Sequence, residues 1–197
     1  MLRFSALQVC APAAAFGGSF RPAFADVVWS GDGTRSSVTL TVSHLLLAKI
    51  TGTIPIPAAT IVTADGEMLP FLVDAMLDAA ALRTGDPQRD AQLRSDRFFD
   101  VARFPAITFA SERVVATGPL AFQIQGELTM RGVTRPLVLD GRLARLTREP
   151  NGGRRARYEA TGRFKRSAYG MVYARGIAGD EVRLDVIVEA VDLVAER

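Results

Sequence analysis

The chain has 197 residues, 48% of them apolar and 23% charged, and its formal charge is only +3 although its isoelectric point is near 9.5. Length and apolar content suit one domain with a sizeable core. The only lysines are Lys49 and Lys165. Arginine therefore raises the isoelectric point without giving the strong positive field that nucleic-acid binding needs, and the Arg154-Arg155-Ala156-Arg157 run beside Asn151-Gly152-Gly153 reads as a solvated hairpin end.

In chain order, Arg3, the apolar or small-residue stretch Leu7 to Gly18, and Ala23-Phe24-Ala25 before Asp26 read as a cleaved export leader over residues 1–25. The apolar stretch is too short to span a bilayer. Removing it lowers the formal charge from +3 to +1, because Arg3 and Arg21 leave and no acid does. It also removes Cys10, the only cysteine, whose context Leu7-Gln8-Val9 fits lipid attachment poorly because Val9 is bulky. A mature chain of residues 26–197 then has no thiol for disulfides, catalysis or Cys-based zinc sites.

The mature chain alternates. Val38, Leu40 and Val42 share one strand face, continued by His44, while Ser37, Thr39, Thr41 and Ser43 share the other. The prolines of Ile54-Pro55-Ile56-Pro57 predict a short, bulged or edge strand. Phe71, Val73, Ala75 and Leu77 form the next apolar face. Asp86-Pro87 predicts a capped helix start, with a helix over about 87–95 that turns Leu93 inward. The polar segment then breaks into Phe98-Phe99, and Pro105 marks where a helical or looped lid gives way to a strand, Ile107 to Val115, that carries Phe109. Phe122, Ile124, Gly126, Leu128 and Met130 predict an inward face, and Arg131 to Thr134 a turn. Pro150 to Gly153 is the clearest hairpin signal, and beyond it Ala156, Tyr158, Ala160, Gly162 and Phe164 share a face. Val182, Leu184, Val186 and Val188 line the last strand.

The pattern is all-β, with about eight strands, one apolar face on most of them and one helical break after the third or fourth. A barrel of that size closes just wide enough for packed side chains or one slender ligand. Alternation alone does not separate barrel from sandwich. Val38, Leu40, Val42, Phe71, Val73, Phe109, Phe122, Ile124, Leu128, Phe164, Leu184 and Val186 are the candidate interior. They either fill a core or, with small residues at Ala75, Gly126, Gly141, Ala160 and Gly162 among them, leave an apolar tunnel.

Polar chemistry is sparse. His44 is the only histidine, and it is either a group touching a ligand head inside the barrel or a core or strand-end histidine. One histidine without cysteine argues against a transition-metal site, and the scattered aspartates do not match a calcium loop. Ser95, Ser111 and Ser167 lie in no nucleophile-elbow setting, so no catalytic residue and no cofactor are expected. Arg89-Asp90 with Arg94 reads as an ion pair and cap that pin Phe98 and Phe99. The alternative is that Arg83, Arg89 or Arg94 faces a phosphate or quinone head at the barrel mouth, where a guanidinium can bind oxygens bidentately.

The run RDAQLRSDRFFDVARFPAITFAS from Arg89 to Ser111, then GELTMRGVTRPL from Gly126 to Leu137, resembles the YceI-like family of periplasmic polyisoprenoid-binding proteins. Lys165 to Met171 and the closing GDEVRLDVIVEAV resemble the same family, so the similarity runs from about Ser36 to Val191. The resemblance implies an eight-stranded antiparallel lipocalin-like barrel around a long apolar ligand, in an exported, cofactor-free, non-catalytic protein. The ligand class is a prenylated quinone, a polyprenyl phosphate or a similar long-chain amphiphile. Transient membrane contact and a homodimer are both compatible with it. Two departures from the family pattern stand out, Gln92 where His is frequent and Ile54 where an aromatic is usual. Two other classes remain open, a cell-envelope stress or interaction module with a filled barrel and an enzyme acting on lipid head groups.

Overall fold

The computed structural model describes residues 26–44, 48–150, 152–174 and 176–192. The predicted leader and Cys10 lie outside them. Ten antiparallel segments form one sheet: β1 (Asp26–Gly31), β2 (Ser37–His44), β3 (Ala48–Pro55), β4 (Ala58–Ala64), β5 (Pro70–Asp78), β6 (Ala106–Ala116), β7 (Ala121–Met130), β8 (Val133–Arg148), β9 (Arg154–Lys165) and β10 (Ala178–Asp192). They occupy eight positions of a closed barrel. β10 pairs with β9 along one side; along the other it pairs with β2 through Ala178–Ile187 and with β1 through Ala190–Asp192. β1 and β2 thus share one position, and β4 and β3 share the next.

That second position is broken where the prolines predict. Ile56 and Pro57 separate β3 from β4, and β4 alone runs on into regular pairing with β5. On the side away from β2, β3 has a single bridge, to Arg83, through two backbone hydrogen bonds between Thr53 and Arg83 of 2.8 and 3.0 Å. The helix α1 (Pro87–Arg94) lies after the third barrel position, with Asp86 accepting from the Gln88 and Arg89 amides and Pro87 in the first turn, as the Asp-Pro pair predicts.

Alternation sets the core. Phe122, Ile124, Leu128 and Met130 on β7, and Val182, Leu184 and Val188 on β10, are buried as expected. Phe71 is not. It is 40% exposed, because the pairing slips there: Val62 faces Leu72 but the next residue, Thr63, faces Pro70. The extra residue puts Phe71 outside and Pro70 inside, as a bulge does. Arg131 and Gly132, with φ of 55° and 71°, make the two-residue turn between Met130 and Val133.

The inward glycines do not leave an axial channel. A Cβ on Gly126 would strike the Ala110 carbonyl and, at 2.8 Å, the Phe109 ring; on Gly141 it would strike Phe122, and on Gly162 Leu139. Large neighbours lie over these positions, so the missing side chains make room for packing.

Trp29 closes the end remote from the helix. It is fully buried, donates to Thr63 Oγ1 at 3.1 Å, and lies under the Arg154 guanidinium, which Asp192 holds at 2.7 Å. Nearby, Tyr158 donates to the Met68 carbonyl at 3.2 Å, and burial pushes its phenol up to about 12. The neutral form is thus favoured in the folded state. The contribution of Tyr158 to stability should be constant below pH ~10, the unfolded value, and fall by about 2–3 kcal/mol as pH rises towards 12. Chemical denaturation across that range checks this, with a smaller fall expected for Tyr158→Phe.

Candidate ligand-binding site

The barrel interior holds two spaces. The deeper one, about 80 Å³, is lined by Val38, Val73, Phe109, Phe122, Ile124, Leu128, Leu184 and Val186, with Tyr158 and Leu139. It could hold only two or three waters at ~30 Å³ each and is too small for a lipid tail. The larger space, about 470 Å³, lies beneath the helix and is lined by Leu40, Val42, Phe164, Val182, Leu93, Phe98, Phe99 and Met171. Its volume falls within the roughly 300–1,000 Å³ of small-molecule sites. Of the twelve candidate tunnel residues, all but Phe71 line one of these spaces.

No residue lines both. The boundary falls between Leu40 and Val38 on β2, between Val182 and Leu184 on β10, and between Phe164 and Ala160 on β9. At the intervening inward position, Gly162, the Leu139 side chain leans across. The expected tunnel is therefore interrupted at a waist, and the roomy half is the one under the lid.

Hydrogen bonds fix the lid. Asp90, buried, accepts from both the amide and the hydroxyl of Thr84 at 2.7 Å each, tying α1 to the chain that leaves β5. The Thr84 hydroxyl holds the Asp90 carboxyl below its ordinary range, against the opposing effect of burial. Arg94 donates to the Leu82 carbonyl at 2.6 Å. The expected Arg89–Asp90 pair does not form: Asp90 is committed to Thr84, and Arg89 meets Asp86 at 3.3 Å. Beyond the helix, Arg131 from the β7–β8 turn donates to the Asp96 carbonyl at 2.9 Å and to that of Phe98. Phe98 and Phe99 are thereby turned inward and buried.

The polar side chains on the cavity wall are His44, Thr84, Arg89, Gln92 and Arg166. Of the three candidate head-group arginines, only Arg89 lines the cavity. Arg83 is exposed and held by its backbone to Thr53, and Arg94 is engaged with Leu82. The serines serve the fold: Ser95 donates to Gln92, Ser111 accepts from the Val73 amide, and Ser167 binds Asp180. Among the described residues no group of three or more His, Cys, Asp or Glu side chains converges on a metal site.

Arg166 escaped the motif reading. It is buried, and its guanidinium donates to the carbonyls of Gly179, Met171, Tyr173 and Ala178 at 2.7–3.0 Å. It holds down the segment between the turn Arg166–Tyr169 and β10, part of which walls the cavity. Its parity was a usable signal: counting by twos from Ala156 through Phe164, the next inward position is Arg166.

The site is thus a largely apolar cavity beneath a helical lid at one end of an antiparallel barrel. The YceI-like domain family matches residues 29–190, so the chain belongs to that family. It is 32% identical to Protein YceI of Salmonella newport (strain SL254) over 160 residues, 81% of this chain and 83% of that protein. Among solved structures, the fold is similar to Burkholderia cenocepacia BcnA (TM-score 0.69, 18% identity, covering 81% of this chain and 98% of that one). It is also similar to a polyisoprenoid binding domain from Saccharophagus degradans (TM-score 0.59, 15% identity, covering 82% and 97%).

Replacing Arg166 by Met leaves four carbonyls without their donor. Only the Met171 carbonyl bond is fully buried and the other three carbonyls can turn to water, so a loss of about 1–3 kcal/mol, the cost of one unpaired buried polar group, is expected. Urea unfolding measures it, and hydrogen exchange should show the 171–179 amides losing protection first.

Proposed function

We propose that this protein sequesters or carries a polyisoprenoid amphiphile, with the apolar tail in the lidded cavity and the head near His44, Arg89 and Gln92. The observation that carries the reading is the cavity of about 470 Å³ beneath the lid, apolar in depth and polar on few of its walls. The likeness to a polyisoprenoid binding domain supports the ligand class. Each buried CH₂ contributes about 0.8 kcal/mol, so a tail can be held by exclusion from water alone. His44, Arg89 and Gln92 are few enough that the head group orients the ligand more than it holds it. The reading is of binding without turnover, because the serines and most of the acids are spent on caps and pairs. The leader-like residues 1–25 support export and a periplasmic location.

Protein purified from a membrane-containing host should carry an organic-extractable isoprenoid, seen as added mass in native mass spectrometry. Val42→Trp should obstruct the lid cavity and reduce that added mass, while the melting temperature stays near wild type because the ring enters existing space. A delipidated wild-type protein that takes up no prenylated ligand would count against the proposal.

A further inference from the structure

The rim of the lidded cavity is unlike the rest of the surface. Val172, Tyr173 and Ile177 are 47%, 40% and 49% exposed. Among the exposed large apolar residues described, Tyr173 and Ile177 alone also line the lidded cavity, so wet apolar surface runs continuously into dry. The exposure is built in. Arg166 holds the carbonyls of Met171, Tyr173 and Ala178, and Phe98 packs edge-on against Tyr173 at 5.7 Å. These side chains are presented outward by a tied-down segment.

Uncompensated positive charge stands around them. The Arg97 guanidinium stacks on the Tyr173 ring at 4.7 Å, and Lys49 opens β3 opposite Ser43 at the same end of the barrel. Neither has a carboxylate within ion-pair distance among the described residues. The acids nearby mostly have cations of their own: Asp86 pairs with Arg89, Asp90 is buried with Arg94 and Arg83 beside it, and Asp180 lies beside Arg166 and Lys165, which leaves Asp96 on the lid. An apolar tip with a basic collar matches a surface that is anionic outside and apolar a few ångströms in. A second protein fits less well, since three side chains expose far less than the about 800 Å² per partner of a stable interface.

We infer that the cavity mouth docks on an anionic bilayer, with Val172, Tyr173 and Ile177 entering the head-group boundary and Arg97 and Lys49 meeting lipid phosphates. This rests on the lipid-binding reading, since docking there lets an amphiphile pass between bilayer and cavity without crossing water.

Co-sedimentation with sucrose-loaded vesicles tests it, comparing phosphatidylcholine alone with mixtures containing phosphatidylglycerol. The protein should sediment with the anionic vesicles, less so as salt rises, and weakly with phosphatidylcholine alone. The double variant Val172→Ser with Ile177→Ser should lose sedimentation. Arg97→Gln should weaken binding about fivefold, the effect of one basic residue near an anionic leaflet. Leu120→Ser, an exposed apolar residue at the opposite end, should change nothing. Equal sedimentation of the double variant and wild type, equal binding to both vesicle types, or an equal loss with Leu120→Ser would overturn the inference. Extraction of the same samples separates the two proposals. Because Ile177 lines the cavity and Val172 does not, Val172→Ser alone makes the separation: retained isoprenoid with weakened sedimentation supports docking, whereas a wild type that binds vesicles yet holds no isoprenoid removes the carrier reading and leaves the docking face standing.

Discussion

The cavity lies where one seam of the closed barrel is held by a single bridge instead of a ladder. Pairing between β4 and β5 is regular, but at Ile56 and Pro57 the chain breaks, and β3 continues with β2 on one side and a single bridge to Arg83 on the other. Proline has no amide hydrogen to give a ladder, so a break at this point follows from the residues themselves. Where β5 would have to extend to complete the wall, the chain instead makes the short turn Ala79–Ala81 and then α1. A helix spans the gap that a strand would have filled. The cavity lies beneath it, with Leu93 of the helix on its wall.

A lid in that position must be held without the regular ladder a strand would supply, and the structure does this with charged groups on backbone. Asp90 takes the Thr84 amide and hydroxyl, Arg94 takes the Leu82 carbonyl, and Arg131 reaches from a hairpin turn to the carbonyls of Asp96 and Phe98. Hydrogen bonds to charged groups contribute roughly 1.5–3 kcal/mol each, about twice a neutral one. The lid is thus fastened at a few charged points, with the buried Phe98 and Phe99 rings beneath it. Arg166 does the same on the opposite rim of the mouth. Both rims are thus fixed by arginine on carbonyl, while the apolar surface between them remains free for a guest.

Much of the architecture was legible in the chain because strand faces repeat every two residues and caps are local. The inward faces of β7, β9 and β10, the Asp86-Pro87 helix start and the proline break all followed from neighbours in sequence. What failed depended on pairing between distant segments. Phe71 left the core because β4 and β5 slip by a residue, and nothing inside either strand announces the slip. β1 and its Trp29 closure were overlooked because three apolar residues, Val27 to Trp29, are too few to show alternation. The glycines misled for a different reason. An absent side chain says that something comes close, and only the fold says whether it is a ligand or, as at Gly141 and Gly162, a phenylalanine or leucine from the next strand. Arg166 was hidden by its surroundings in a motif, although its inward parity was in plain view.

The waist between the two interior spaces constrains what the cavity can accept. A long tail cannot run straight from the mouth to Trp29 while Leu139 leans over Gly162, since the lower space amounts to a few waters. Either the tail folds within the upper space or Leu139 changes rotamer and joins the two. The second route is cheap in principle, because exchanging one staggered side-chain well for another needs no backbone change, and the lower space is apolar and already present. Tail length would then be read in steps, with a short prenyl chain satisfied above the waist and a longer one gaining the burial below it at the cost of displacing one leucine.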